Sequence, residues 1–305
     1  MSEKPVLTKE ERRARRDAKR EVQRVLNIDR AQQMHQARKE FEEQVKPPVP
    51  SQHKVSKKKA AQYHVGCSGW FYWHWRDHFY LNLPSKDWFN QYSSHFKTVE
   101  LNAPFYSWPT IATVKTWIKQ AEQQDFVYTV KVSELITHVK RFEGTNQLVT
   151  DFGLIADLLG NKMGCFLFQL PPSYHYSPGR LKDILSQLDH QRRNVVEFRH
   201  RSWWNEEVYD AFRHTKTIFC SCSGPRLPDE LIKTAEDIYV RFHGINQWYR
   251  HDYTRDELAI WVKRIKESGA KQVWAYFNND RDGYAITNAK EFLRQLKKRR
   301  ERKTE

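Results

Sequence analysis

Glutamate, arginine and histidine recur two residues apart at the ends of apolar stretches in this chain. Glu197 and Arg199 do so in Val195-Val196-Glu197-Phe198-Arg199-His200, Glu100 and Asn102 in Val99-Glu100-Leu101-Asn102, and Arg241 and His243 in Val240-Arg241-Phe242-His243. Side chains of an extended chain alternate, so each polar pair shares one face and the apolar neighbours share the other. By the same alternation Lys131 goes with Thr129, Gln169 with Leu167, and Asn278 with Tyr276. Glu100 and Glu197 are candidates for general acid and base, and His243 adds a group that exchanges protons near neutral pH. Lys131, Arg199 and Arg241 form a candidate anion clamp, the arginines binding bidentately. Ser68, Asn102, Gln169 and Asn278 are candidates for orienting the ligand. Such a set suits acid/base hydrolysis or transfer on an anionic, phosphate- or carboxylate-bearing substrate. The carboxylates could also ligate a divalent ion, but a metal-cluster nuclease needs more His and Asp than these positions offer. No metal ligand is therefore assigned, and no cofactor is indicated. The same charges would also suit a salt-bridged plug, although desolvating each one costs several kcal/mol before pairing.

These residues must be brought together by the elements that carry them. Candidate strands are His64–Ser68, Thr98–Asn102, Phe126–Lys131, Gly164–Gln169, Asn194–Arg199, Thr217–Ser221, Asp237–His243 and Gln272–Asn278. Helix-like stretches alternate with them: Trp88–His95, Ile111–Gln124, Val149–Leu159, Leu181–Leu188, Glu206–His214, Arg255–Glu267 and Asn288–Arg299. Eight strands alternating with helices predict an α/β fold, a TIM-like (β/α)8 barrel. A doubly wound open sheet is the other α/β solution, but neither G-x-G-x-x-G nor a P-loop is present. In a barrel the polar strand ends meet at one C-terminal mouth, where active sites lie.

Composition adds a second basic region. The formal charge of the 305-residue chain is +15, which favours anionic partners, a small molecule or nucleic acid. Residues 1–60 hold 17 Lys and Arg against nine Asp and Glu. Thr8 to Glu11 fits a capping box, opening a helical run to about Glu43 with a thin stripe of Val22, Val25, Leu26, Met34, Ala37 and Phe41. Pro47 to Lys59 reads as a flexible linker. Residues 1–60 are thus expected to be an appended basic arm, 61–298 the barrel, and 299–305 a basic tail. The arm either contacts phosphates of RNA or DNA or is a solvated helix. No stretch is apolar enough to span a membrane or to act as a signal peptide. Cys67, Cys165, Cys220 and Cys222 lack disulfide or zinc spacing, and reduced buried thiols suit a cytoplasmic protein. No protein partner is indicated.

Lesser candidates are His74 and His78, which lack a third metal ligand, and His138 and His200, which follow strands three and five at the rim. Trp70 to Trp75 reads as loop core or lid, and Tyr249 and Tyr253 as a cover for the mouth.

The ordered motifs resemble the YecE-like family, domain of unknown function 72. They are Gly66-Cys67-Ser68-Gly69-Trp70, Val99-Glu100-Leu101-Asn102 with Phe105-Tyr106, Lys131 with Thr137-His138, and Gln169-Leu170-Pro171-Pro172. Val196-Glu197-Phe198-Arg199-His200, Arg241-Phe242-His243-Gly244 and Tyr276-Phe277-Asn278-Asn279 complete the set. The resemblance runs from about Tyr63 to Leu296 and implies a TIM-like barrel without implying a reaction. Two departures stand out: Cys67 replaces the family's usual Thr, and Cys220-Ser221-Cys222 replaces a strand that usually ends in Asp. If that Asp takes part in chemistry elsewhere, the site here is altered or inactive.

Overall fold

Alternation between apolar strands and amphipathic helices produces eight parallel strands closed into a barrel. The structure, a computed structural model, describes residues 8–44 and 61–298. The strands are β1 (Gln62–Cys67), β2 (Thr98–Leu101), β3 (Val127–Lys131), β4 (Met163–Gln169), β5 (Asn194–Glu197), β6 (Ile218–Ser223), β7 (Asp237–Phe242) and β8 (Gln272–Phe277). The helices are α1 (Lys9–Gln44), α2 (Trp88–His95), α3 (Ala103–Tyr106), α4 (Ile111–Gln120), α5 (Asn146–Leu159), α6 (Pro178–Gln187), α7 (Glu206–Thr215), α8 (Arg255–Glu267) and α9 (Ala285–Lys297). The segment from β6 to β7 holds no helix; Ser221 Oγ and Thr234 Oγ1 pin it through Ile232 N and Phe219 N, both at 2.9 Å.

Alternation divides the core in two. Val99, Val130, Phe168, Val196, Phe198, Val240 and Phe277 pack outward under the helices, while Leu167, Val195, Cys220, Tyr239, Trp274 and Tyr276 fill the barrel. Cys220 and Cys222 share the inner face of β6, their sulfurs 3.9 Å apart.

The hydrogen-bonded order β1-β8-β7-β6-β5-β4-β3-β2 leaves β1 and β2 at a seam. Side chains close it. The Tyr92 hydroxyl accepts from Cys67 N at 2.8 Å and donates to Thr98 O at 3.1 Å, and Asn102 Nδ2 donates to Ser68 O at 3.0 Å. The backbones come so close here that a Cβ on Gly66 would lie 2.3 Å from Thr98 O.

The basic arm differs from its expectation. Thr8 and Glu11 form the predicted capping box, but the helix that follows rests on the barrel. Its docked face is Asn27, Ala31 and Met34, spaced i, i+4, i+7, whereas Val22 and Val25 are more than 60% exposed. Asn27 donates to Tyr106 O and accepts from Trp108 N, both at 2.9 Å. Arg20 reaches the buried Glu134 at 2.5 Å, and Arg38 and His35 reach the buried Asp151 at 2.8 and 3.0 Å. Of the expected stripe, Met34, Ala37 and Phe41 pack against the barrel while Val22, Val25 and Leu26 stay exposed, and hydrogen bonds and ion pairs supply the rest of the docking. The expected linker and tail lie outside the described residues. Among the described residues no helix is long and apolar enough to cross a membrane.

Candidate functional site

Strand alternation delivers the polar ends of the strands to the mouth. Glu100, Lys131, Glu197, Arg241, His243, Gln169 and Ser68 are buried there, and Asn102, Arg199 and Asn278 are half-buried. Arg241 is the hub. It spans the barrel to donate to Glu100 Oε1 at 2.5 Å and to Glu197 Oε2 at 2.6 Å. Tyr239, on the same face of β7, donates to the other oxygen of Glu100 at 2.5 Å. Both oxygens of Glu100, expected as acid or base, are thus already engaged.

Glu197 Oε1 faces the mouth. It accepts from Arg199 Nε and lies 3.3 Å from His243 Nε2. Arg199 Nη2 lies 3.1 Å from the same imidazole nitrogen, and its guanidinium stacks on Trp248 at 4.5 Å. Asn278 Nδ2 approaches His243 Nδ1 at 3.3 Å. Burial raises the Glu197 pKa, but Arg199 and Arg241 outweigh it and hold the carboxyl well below its usual range. Burial, then Arg199 and Arg241, hold His243 well below the usual histidine value against the pull of Glu197. At neutral pH the pair is therefore a carboxylate beside a neutral imidazole.

Lys131 stands apart. Its ammonium sits 3.7 Å over the Phe105 ring, and among the described residues no carboxylate lies within ion-pair distance. Burial and the nearby Arg241 and Arg199 bring its pKa down to about 7, against the opposing pull of Glu197 and Glu100. Gln169 donates to Leu170 O at 3.0 Å and lies 3.5 Å from His138, which faces Phe105. Ser68 Oγ, Asn102 Oδ1 and Arg241 Nε are buried with no hydrogen-bond partner among the described residues. Buried polar atoms are normally satisfied, so these three are open positions for a ligand.

Glu197, Cys222 and His243 bring one ligand atom each within 4.8 Å of one another. This set fits a cation poorly, because Arg199 already occupies the Glu197 oxygen and the imidazole nitrogen that would face the ion.

Several neighbours eluded the sequence reading. Tyr239 was visible through alternation with Arg241; Trp248, Phe105 and Tyr92 carried no comparable signal. His200 turns away to stack on His175 at 3.9 Å, and His74 pairs with Asp280 at 2.8 Å. Tyr253 is buried against Ser223 and Gly244, and Tyr249 is half exposed beside His243. Of the aromatic loop, Trp75 is core and Trp73 is 65% exposed. A cavity of about 820 Å³ opens at the opposite end of the barrel. Among its charged lining residues, Arg193 pairs with Asp237 and Lys271 with Glu236, and Arg192 pairs with Asp157 just outside it.

The model of the protein family of unknown function DUF72 matches residues 64–305. The chain belongs to the DUF72 family. It is 29% identical to the UPF0759 protein YunF of Bacillus subtilis over 272 residues, 76% of this chain and 94% of that protein. It is 22% identical to the UPF0759 protein YecE of Escherichia coli over 58% of this chain and 73% of that protein. A DUF72 family crystal structure from Thermotoga maritima superposes with a TM-score of 0.70 at 26% identity, covering 78% of this chain and all of that one. One from Enterococcus faecalis gives 0.67 at 19% identity, covering 79% and 97%. Helix α1 lies outside the family match; this DUF72 protein carries it as an addition to the barrel.

Proposed function

We propose that the barrel mouth binds a small anionic substrate, bearing a phosphate or carboxylate, and acts on it by proton transfer in a hydrolysis or group-transfer reaction. One observation carries the reading: the buried charges do not balance. Among the described residues Glu100 and Glu197 are matched by Arg241 and Arg199, and Lys131 is left over at the same end of the barrel as the open Ser68 and Asn102 atoms. A salt-bridged plug has no use for a surplus buried cation; an arriving anion gives it a partner.

In this scheme Arg199, Lys131, Ser68 and Asn102 hold the anionic group, while Gln169 and Asn278 orient the rest. Glu197 and His243 accept the proton, and Glu100 with Tyr239 fixes Arg241 beneath them. The surroundings make the base conditional. An anion that draws Arg199 onto itself removes a cation that depresses His243, so binding raises the basicity of the imidazole. The test is a thermal-shift screen of phosphorylated and carboxylated metabolites against the parent, Arg199→Met and Glu197→Gln. The reading requires stabilisation that disappears in Arg199→Met, and turnover that disappears in Glu197→Gln. A screen with no Arg199-dependent stabilisation would overturn it.

A second reading, a non-catalytic RNA- or DNA-binding protein, is favoured by where α1 sits. Arg20 contacts Glu134, three residues beyond Lys131, so the exposed basic turns from Lys9 to Lys19 stand beside the mouth. Deleting residues 1–60 should then lower RNA affinity and the salt slope; unchanged binding would count against this reading.

A further inference from the structure

We infer that Lys131 is a nucleophilic amine that forms a Schiff base with an aldehyde or ketone carrying a phosphate or carboxylate. The inference rests on the anion-binding reading of the mouth and names the substrate class, with Arg199 holding the anionic group and Lys131 moved from holding it to attacking the carbonyl. Three features of the site carry it. Lys131 ends β3 at the C-terminal rim, where barrel enzymes place reacting groups. Its amine has no carboxylate partner among the described residues and lies against the Phe105 ring in a buried setting, the desolvated surroundings that activate lysine as a nucleophile. Beside it stand an anion-binding group, Arg199, and a proton acceptor, the Glu197–His243 pair.

The charged and titratable groups around Lys131 are Arg241, Arg199, Glu197, Glu100 and His138. They sum to a setting in which the neutral amine is well populated near neutral pH. The chemistry balances with one proton taken up from solvent. The nitrogen lone pair adds to the carbonyl carbon, and a proton passes from nitrogen to oxygen to give a carbinolamine. The C–O bond then breaks as the solvent proton converts the departing hydroxyl to water, leaving a protonated imine. That iminium withdraws electrons from the adjacent carbon, so Glu197 and His243 can take a proton from it. Aldol-type cleavage or carbonyl isomerisation is the reaction class that follows.

The full-length protein is incubated at pH 7 with glyoxylate, glycolaldehyde phosphate or acetaldehyde in the presence of cyanoborohydride, and the reduced adducts are mapped by peptide mass spectrometry. Lys131 should label at least about tenfold faster than the exposed Lys115 and Lys119, because burial and the neighbouring arginines favour its neutral amine. Arg199→Met should slow labelling by the two anionic probes by more than labelling by acetaldehyde, which loses only the cation that favours the neutral amine. Lys131→Arg should remove the adduct; should that variant not fold, the pH profile of Lys131 labelling in the parent, with a midpoint near 7, serves instead. Labelling of Lys131 no faster than of Lys115 and Lys119 with all three probes overturns the inference. If that result accompanies Arg199-dependent stabilisation by phosphorylated metabolites, the amine chemistry falls and the anion site stands.

Discussion

The arm and the mouth are both basic, and they hold their charge in opposite ways. Along the first turns of α1 the arginines and lysines point into solvent, and Arg13 pairs with Asp17 at 3.9 Å while both side chains stay at least 70% exposed. In the mouth Arg241 is 1% exposed and bonds two carboxylates that are fully buried. Solvent and salt screen the first arrangement and barely reach the second. Charge on the arm can therefore attract a partner at a distance, whereas charge in the mouth fixes geometry at contact. Net charge measures only the first kind.

The sharpest way to break the comparison is to remove the hub. Arg241→Met leaves Glu100 and Glu197 buried without their shared cation and should destabilise the protein by about 3–5 kcal/mol in urea denaturation. Adding Glu100→Gln and Glu197→Gln to that variant should recover most of the loss. If Arg241→Met alone is neutral, the mouth is no more demanding than a surface network.

Titration probes the same contrast. Glu197 has a folded pKa well below its unfolded value of about 4.3, so its contribution is complete above that value and is lost as pH falls toward the folded pKa. The stability gap between the parent and Glu197→Gln should be constant near neutrality and shrink below about pH 4. For Lys131 the slope has the same sign but falls in a higher pH window. Between about 7 and 10.4 the unfolded chain holds the extra proton, so parental stability should rise with pH relative to Lys131→Met. Urea midpoints measured from pH 3 to 10 check both.

Smaller effects belong to the arm. Asn27→Ala removes two hydrogen bonds to the barrel backbone and should cost about 1–2 kcal/mol, with earlier proteolytic release of α1. Replacing Arg13, Arg15 and Arg16 by Ala should leave the denaturation midpoint where it is and weaken heparin or RNA binding, most at low salt. Binding of a small anion in the mouth should keep its affinity in that variant.

Much of the barrel was legible because one rule, alternation, governs every strand. All eight strands lie where the apolar stretches put them, and the inward set from Glu100 to Asn278 follows from counting by twos. What alternation does not encode is who bonds whom across the barrel. That Arg241 takes both carboxylates, leaving Lys131 without one, depends on tilt and reach that no local pattern carries. The docked face of α1 was hidden for a related reason: its anchors are Asn27, Arg20, Arg30 and Arg38, residue types that ordinarily face water.

The seam beside Tyr92 bears on how the chain is made. β1 is translated before the other strands, yet its backbone ladder is with β8, the last strand to be made. Until then β1 has the Tyr92 hydroxyl from α2 and the Asn102 amide from the end of β2. A nascent sheet from β2 to β7 would have two open edges, each a template for pairing with another chain. Closure waits on contacts between the most distant parts of the barrel sequence, the slow kind in folding. A chain truncated before Gln272 should therefore accumulate as aggregate rather than as a smaller barrel.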